Sequence, residues 1–384
     1  MTAPKIIFVD NLASALLNQR WPLIRAVQEA GFAVAVAVPQ DERCAELTAR
    51  GVQVHPWSVV RRGLGPISEL STLLALKQLF KRERPMLVHV RSPKPVMYGG
   101  IAARFAGVPA VVSHVTGLGI AAQDATGWRA RMAGLGLRAL AGPAFGHPHQ
   151  RVIVQNRDDV EAVAKLGCDP KRIRLIRGSG VDPDAFTPRE PVPGDPLIVL
   201  PSRMLFSKGV AVFVAAAEIL RAAGVRARFA LVGPLDLGNP DAVPEAQLLA
   251  WNAAGVVAWW GERHDMPAVY AEAAIVCLPS WYREGLPKTL LEGMASGLPI
   301  VTCDSIGCRE AISDGVHGFL VPPRDALALA TALRRLIESP ELRARCGAAG
   351  RAQVLAEFAA APIAAKTLAV LREVVEESGQ KWPG

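Results

Sequence analysis

No run of apolar residues reaches the ~18–20 positions that a membrane-spanning helix needs. The chain starts MTAPKIIFVD, passing from one lysine straight into a short apolar strand. It has no leader-like apolar core or cleavage site there, so export by that route is not expected. Aromatic residues make up only 6% of the chain, and neither low-complexity tracts nor short-period repeats occur. The six cysteines, at 44, 168, 277, 303, 308 and 346, form no C-x-x-C pair. Cys303 and Cys308 have four residues between them, but no histidine pair follows, which removes the common zinc patterns. Their expected role is that of small buried hydrophobes in a reducing cytosol. No nucleophile elbow G-x-S-x-G is found. Gly178-Ser179-Gly180-Val181-Asp182 lacks both the dinucleotide fingerprint and the Walker G-K-[ST].

What is present describes a folded protein. The 384 residues are 51% hydrophobic and 20% charged, which rules out disorder, and at roughly 150 residues per domain the length suits two. Charge is unevenly placed. Residues 1–185 carry 24 Lys+Arg against 14 Asp+Glu, a net of +10, and residues 186–384 carry 19 against 21, a net of −2. A basic front half calls for an anionic partner: nucleic acid, anionic lipid headgroups or a phosphorylated substrate.

Short β-branched runs predict strands at Lys5–Val9, Ala33–Val38, Val52–His55, Met86–Val90, Ala110–Ser113, Val152–Gln155 and Ile173–Ile176. Helix-length stretches such as Gln19–Ala30, Ile67–Arg84 and Val96–Ala106 separate them, the order of βαβ units on a parallel sheet. Five prolines within the fifteen residues 182–196 break the pattern. It restarts with Leu197–Pro201, Phe229–Val232, Val256–Ala258, Ile275–Leu278, Pro299–Thr302 and Phe319–Val321, and Asp325 to Glu377 is helical in pattern. The expectation is an α/β protein with parallel-sheet domains at 1–185 and 197–362 and a linker at 186–196. A C-terminal helix over 363–384 would pack back on the first domain. Ligands belong at the carboxyl ends of the strands, in a cleft between the domains.

Several strand ends carry chemistry. After Ile275–Leu278, Pro287 suits the first turn of a helix Pro287–Ala295, whose amino end makes an anion site through its N–H groups and dipole. Gly285 admits close backbone approach and Lys288 adds a cation. Glu284 and Glu292, with seven residues between them, can contact different parts of one extended ligand. Taken alone, they equally describe a charge at a helix start and a solvent-facing glutamate. After Leu197–Pro201, Arg203 and Lys208 straddle a turn ending in Gly209. They are a planar fork and a point charge suited to a diphosphate, or else two solvated loop cations. In the first domain His114 follows a strand and precedes a glycine turn. His89, Arg91 and Lys94 reach the end of another strand as a small basic rim that Arg20 can join. Asp182-Pro183-Asp184 has the form of a metal-binding pair without a third ligand nearby, so no metal is expected.

Taken in order, these clusters resemble the retaining GT-B glycosyltransferases of family 4, over nearly the whole chain. The strongest likeness is REGLPKTLLE at 283–292, followed by GLPIV at 297–301, GCRE at 307–310 and GFLVP at 318–322. GSGVDPDAF at 178–186, SRMLFSKGV at 202–210 and LVG at 231–233 are also similar. With HVRSPKP and VSHVTGLG upstream, the chain looks closest to the branch that extends polyprenyl-diphosphate-linked oligosaccharides.

The resemblance implies a GT-B fold, two Rossmann-like domains facing a central cleft. It implies transfer of a hexose or N-acetylhexosamine from a nucleotide sugar, UDP-linked by preference, to a polyprenyl-diphosphate-linked sugar. It further implies retention of configuration, no metal or other cofactor, and a cytoplasmic, peripheral position on the membrane through the basic N-terminal domain, with no nucleic-acid partner. Arg203 and Lys208 would grip the donor diphosphate, Gly285, Leu286, Pro287 and Lys288 line its pocket, and Glu292 hold the ribose. Glu284 would contact the transferred sugar, and the base would rest near Gly261–Asp265. His114 matches an active-site histidine, although Val115 stands where an aspartate commonly follows. Arg20, His89, Arg91 and Lys94 are the acceptor candidates. DNLASALLN at 10–18 replaces the Gly-Gly pair common in relatives. Trp128–Leu140 suits an interfacial helix, or a core-facing one with solvated arginines. Rival readings are a nucleotide-sugar 2-epimerase on the same fold and a non-catalytic nucleotide-binding protein.

Overall fold

The computed structural model describes residues 3–57, 66–117, 139–190 and 192–383. The chain forms two compact units: residues 1–179 together with 361–384, and residues 180–360.

The first unit is built on β1 (Lys5–Val9), β2 (Ala33–Val38), β3 (Gln53–Pro56), β4 (Leu87–Arg91), β5 (Ala110–Val115), β6 (Gln150–Val154) and β7 (Ile173–Leu175). They form one sheet in the order β3-β2-β1-β4-β5-β6-β7, with every neighbouring pair parallel. The near-continuous apolar strands are what a sheet covered on both faces requires. Alternation divides them: Ile7, Val9, Val88 and Val90 enter one layer of core, and Ile6, Phe8, Val34 and Val36 the other. That second layer is completed from the far end of the chain. The helix Ala360–Glu377 contributes Ile363, Leu371, Val374 and Val375 to it. Arg151 of β6 donates to Glu373 at 2.9 Å and to Glu377, and Arg174 of β7 donates to Glu373 at 2.6 Å. Burial pushes the Glu373 carboxyl up, but the two arginines outweigh it and leave the group below its usual range.

The second unit contains β8 (Leu197–Pro201), β9 (Arg228–Val232), β10 (Ala258–Trp259), β11 (Ile275–Leu278), β12 (Ile300–Cys303) and β13 (Gly318–Val321). Their order is β10-β9-β8-β11-β12-β13, again all parallel. Both sheets therefore reverse their winding beside the first strand, between β1 and β4 and between β8 and β11. The carboxyl ends at such a switch point are where open α/β sheets bind ligands.

Two expectations change. The divide falls at Ser179–Gly180, not residue 185, and the proline-rich segment is no separate linker. Phe186 is buried with Tyr270 and Leu290 in the second unit's core, and Arg351 donates to the carbonyls of Pro183 and Phe186 at 2.8 and 2.6 Å. Asp182 accepts from the amides of Asp184 and Ala185 at 3.0 and 3.4 Å, so its carboxylate closes a turn. The six cysteines are all buried free thiols. Among the described residues no helix is long and apolar enough to cross a membrane. Most of Trp128–Leu140 lies outside the described residues.

Because the C-terminal helix completes the first unit's core, damage to it should unfold that unit. Leu371 is fully buried, and Leu371→Ala is expected to cost about 2–5 kcal/mol. Urea unfolding should show the loss in one of two transitions, with the other unmoved.

Candidate active site

In the second unit, β8 and β11 end side by side and their loops are joined through one carbonyl. The chain leaving β8 makes a short turn over Phe206–Lys208 and reverses at Gly209, where φ is +82°. A Cβ at Gly209 would lie 2.2 Å from the Pro279 carbonyl oxygen, so only glycine allows this approach. Next to it the Ser207 carbonyl accepts from the amides of Trp281 and Tyr282 at 2.9 and 3.1 Å, and the Ser280 hydroxyl is 3.3 Å away. The seam brings Lys208 onto Glu284 as an ion pair with both side chains largely buried. The Lys208 ammonium also lies 5.1 Å over the Tyr282 ring. Gly307, with φ +84°, braces the other side: a Cβ there would stand 2.5 and 2.6 Å from the carbonyl oxygens of Gly285 and Glu284.

The helix that follows is Lys288–Ala295, with Pro287 one residue outside it as an N-cap that offers no side-chain hydrogen bond. Its amino end places the positive end of the helix dipole directly after Glu284–Pro287. Glu292, on its second turn, is buried. It accepts from the Tyr270 hydroxyl at 3.0 Å, and Lys288 stands 3.3 Å from its other oxygen. Burial pushes the Glu292 carboxyl up against the pull of Lys288 and Tyr270. Burial also pushes the Tyr270 phenol well up, so the phenol stays a donor. Tyr270 was not singled out by its sequence, where it is one apolar-pattern residue of the helix Met266–Glu272.

Arg203 is placed differently from Lys208. It is half-exposed and donates to Asp236 at 2.5 Å, a carboxylate also held by Asn239 at 2.9 Å. In the segment 261–265, Arg263 forks onto Asp265 at 2.7 and 2.5 Å and lies 5.8 Å over the Trp260 ring.

At the carboxyl edge of the first unit's sheet, the expected basic rim is a buried cluster. Arg20, His89, Arg91 and His114 are 2%, 1%, 7% and 0% exposed. Arg91 donates to Asp10 at 2.8 Å and to Gln19. Arg20 lies 2.9 Å from Nε2 of His114, and Gln155, just after β6, is 3.4 Å from the same nitrogen. The delivery of Arg20 and Gln19 has a local cause. Pro22 lacks an amide proton, and the chain ahead of it takes a wider π turn over Leu16–Arg20 before the helix Trp21–Glu29 begins. This replaces the continuous helix expected from Gln19. Ser92, at the end of β4, holds φ +79° and ψ 155°, a region that non-glycine residues enter at a cost of about 1–3 kcal/mol and mostly at functional sites. Lys94 turns to Glu69 instead, at 2.7 Å. Among the described residues no group of three metal-ligating side chains exists.

Two family models match this chain: "Glycosyl transferase 4-like" over residues 5–139 and "Glycosyl transferases group 1" over residues 195–339. It is a GT-B glycosyltransferase of family 4. The chain is 28% identical to the N,N'-diacetylbacillosaminyl-diphospho-undecaprenol alpha-1,3-N-acetylgalactosaminyltransferase of Campylobacter jejuni, over 88% of this chain and 91% of that one. It is 27% identical to the UDP-Gal:alpha-D-GlcNAc-diphosphoundecaprenol alpha-1,3-galactosyltransferase of Escherichia coli, over 73% and 74%. In fold it is similar to Anabaena HepE, solved with UDP and glucose, at a TM-score of 0.76, 20% identity and coverage of 96% and 99%. A sucrose-phosphate synthase from Thermosynechococcus elongatus superposes at 0.78, with 19% identity and coverage of 97% and 100%.

In this glycosyltransferase the sequence-selected charged residues of the second unit form three pairs. Lys208 joins Glu284, Lys288 joins Glu292, and Arg203 joins Asp236. The Gly307 brace tests whether the first pair depends on backbone contact. Gly307→Ala should lower stability by about 1–3 kcal/mol and displace Glu284. Thermal melts and glycosyl-transfer rates should both fall, and a melt equal to the parent's would show the brace to be dispensable.

Proposed function

We propose that this glycosyltransferase moves a hexose or N-acetylhexosamine from a UDP-sugar to a polyprenyl-diphosphate-linked sugar, with retention of configuration and without a bound metal. The observation that carries the reading is the Lys208–Glu284 pair beside the amino end of the helix Lys288–Ala295 at the switch point of the second sheet. The names of the Campylobacter and Escherichia relatives supply the substrate class. When the donor binds, its diphosphate takes Lys208 from Glu284 and rests against the amides ahead of Lys288. Glu284 then faces the hydroxyls of the sugar, and Glu292, steadied by Tyr270, receives the ribose. Negative charge grows on the departing diphosphate. Lys208 and the helix dipole stabilise it where a divalent ion would otherwise stand. Arg203 joins by exchanging Asp236 for phosphate oxygen. A phosphate oxygen of the leaving group takes the acceptor's proton on the face it leaves, which retains configuration.

The acceptor's lipid fits one surface of the first unit. Leu70 and Leu74 on the helix Pro66–Glu83 and Phe105 on the helix Pro93–Ala106 are 58%, 42% and 63% exposed. Lys77, 5.9 Å from the Phe105 ring, and Lys81 continue the same helical face as the two leucines. The carboxylates of these helices, Glu69 and Glu83, are ion-paired with Lys94 and Lys5. An apolar patch edged by cations suits the cytoplasmic surface of an anionic bilayer.

The test is a panel of UDP-, GDP- and dTDP-sugars in EDTA, with and without a polyprenyl-diphosphate sugar. A UDP-sugar should raise the melting temperature, and transfer should persist in EDTA and need the acceptor. Conversion of the donor without acceptor would favour the epimerase, and loss of turnover in EDTA would refute the metal-free mechanism. In flotation assays the protein should follow vesicles containing phosphatidylglycerol, and Leu74→Glu with Phe105→Glu should leave it behind.

A further inference from the structure

We propose that Arg20 is a positioning residue that fixes His114 as a neutral imidazole with its proton on Nδ1, making His114 a hydrogen-bond donor to the substrate and not a base. A guanidinium has donors and no acceptor. Its approach to Nε2 at 2.9 Å therefore requires a lone pair on that nitrogen, and the single proton of a neutral ring must sit on Nδ1. Gln155 directs its amide nitrogen at the same lone pair from 3.4 Å. Nδ1 is buried and has no hydrogen-bond partner among the described residues. A buried donor left open at the carboxyl edge of a ligand-binding sheet is costly unless a ligand completes it.

The surroundings oppose any second proton on the ring. The groups that face it are Arg20 from the π turn, His89 and Arg91 from β4, and Gln155 from the end of β6. Ser179 lies beyond, 3.4 Å from Gln155. His89 stacks edge-on at 5.7 Å. The carboxylate of this cluster, Asp10, is held by Arg91 at 2.8 Å and is bonded to neither histidine. Burial, then Arg20, His89 and Arg91, push His114 well below the usual imidazole range. His114 thus stays neutral through physiological pH and donates a hydrogen bond from Nδ1 to a hydroxyl or phosphoryl oxygen of the substrate that reaches this edge of the first unit's sheet. Only the identity of that oxygen rests on the glycosyl-transfer reading.

The experiment labels the full chain with 15N-histidine and follows His114 in the absence of substrate. The Nδ1-protonated tautomer should hold from pH 5.5 to 8. An Nε2-protonated ring, or titration within that range, would overturn the assignment. In Arg20→Met, which is of similar size and removes the donor at Nε2, the neutral ring should lose its fixed tautomer and show protonation at both nitrogens, and Arg20→Lys should restore the Nδ1-protonated form. Failure of the ring to change in Arg20→Met would also overturn it. The donor role is read in transfer assays. The amide nitrogen of His114→Asn falls where Nδ1 was, so this variant should keep activity within about tenfold, while His114→Gln and His114→Ala lose about 100-fold or more. Equal loss in Asn and Ala variants would refute the donor role. The labelling result stands whether or not the glycosyl-transfer assignment does.

Discussion

The seam at the Ser207 carbonyl is the constraint on which the second unit's chemistry depends. Two loops that leave separate strands are locked together by the amides of Trp281 and Tyr282, both donating to one oxygen. Gly209 lets the backbones meet. The reward for this geometry is a lysine and a glutamate held in contact in a largely buried position. Neither partner gains much stability from the arrangement, because desolvation offsets most of the attraction between buried charges. On the proposed function, the pair is two groups stored against each other, each ready to exchange its partner for one end of a nucleotide sugar.

The first unit shows a similar imbalance in a different form. Asp10 and Gln19 each take one terminal nitrogen of Arg91, while Arg20 is buried against a neutral histidine, and the Nε of both arginines has no hydrogen-bond partner among the described residues. Burial and the neighbouring Arg91 both work against this guanidinium, and the strained backbone of Ser92 adds to the cost. A core under no functional demand would have filled these positions with apolar side chains at less expense. Clusters of this kind mark sites where stability has been given up for function.

Much of the architecture was legible because a covered parallel sheet imposes near-continuous apolar strands. AVAVAV at β2 and LIVLP at β8 have no other plausible use. The motif REGLPKTLLE was legible as a helix start with flanking charges, since Pro287 marks the boundary to within a residue. Partner choice was not. Nothing in SRMLFSKG tells that Lys208 meets Glu284 while Arg203 meets Asp236, because those pairings depend on how two distant loops close. Tyr270 was hidden for the same reason, its hydroxyl mattering only once Glu292 is buried beside it. The proline-rich segment misled because proline density signals an irregular path and not an exposed one. Pro22 follows the π turn that carries Arg20, and apolar spacing alone does not distinguish such a turn from a continuous helix.

The most direct test is calorimetric titration of UDP, in EDTA, into the parent protein, Lys208→Met, Glu284→Gln and the double variant. If the buried pair stores a diphosphate-binding lysine, Lys208→Met should weaken UDP by about 10–100-fold. Glu284→Gln should bind as tightly as the parent or more so, and the double variant should match Lys208→Met. Equal weakening by Glu284→Gln, or no effect of Lys208→Met, would contradict the account.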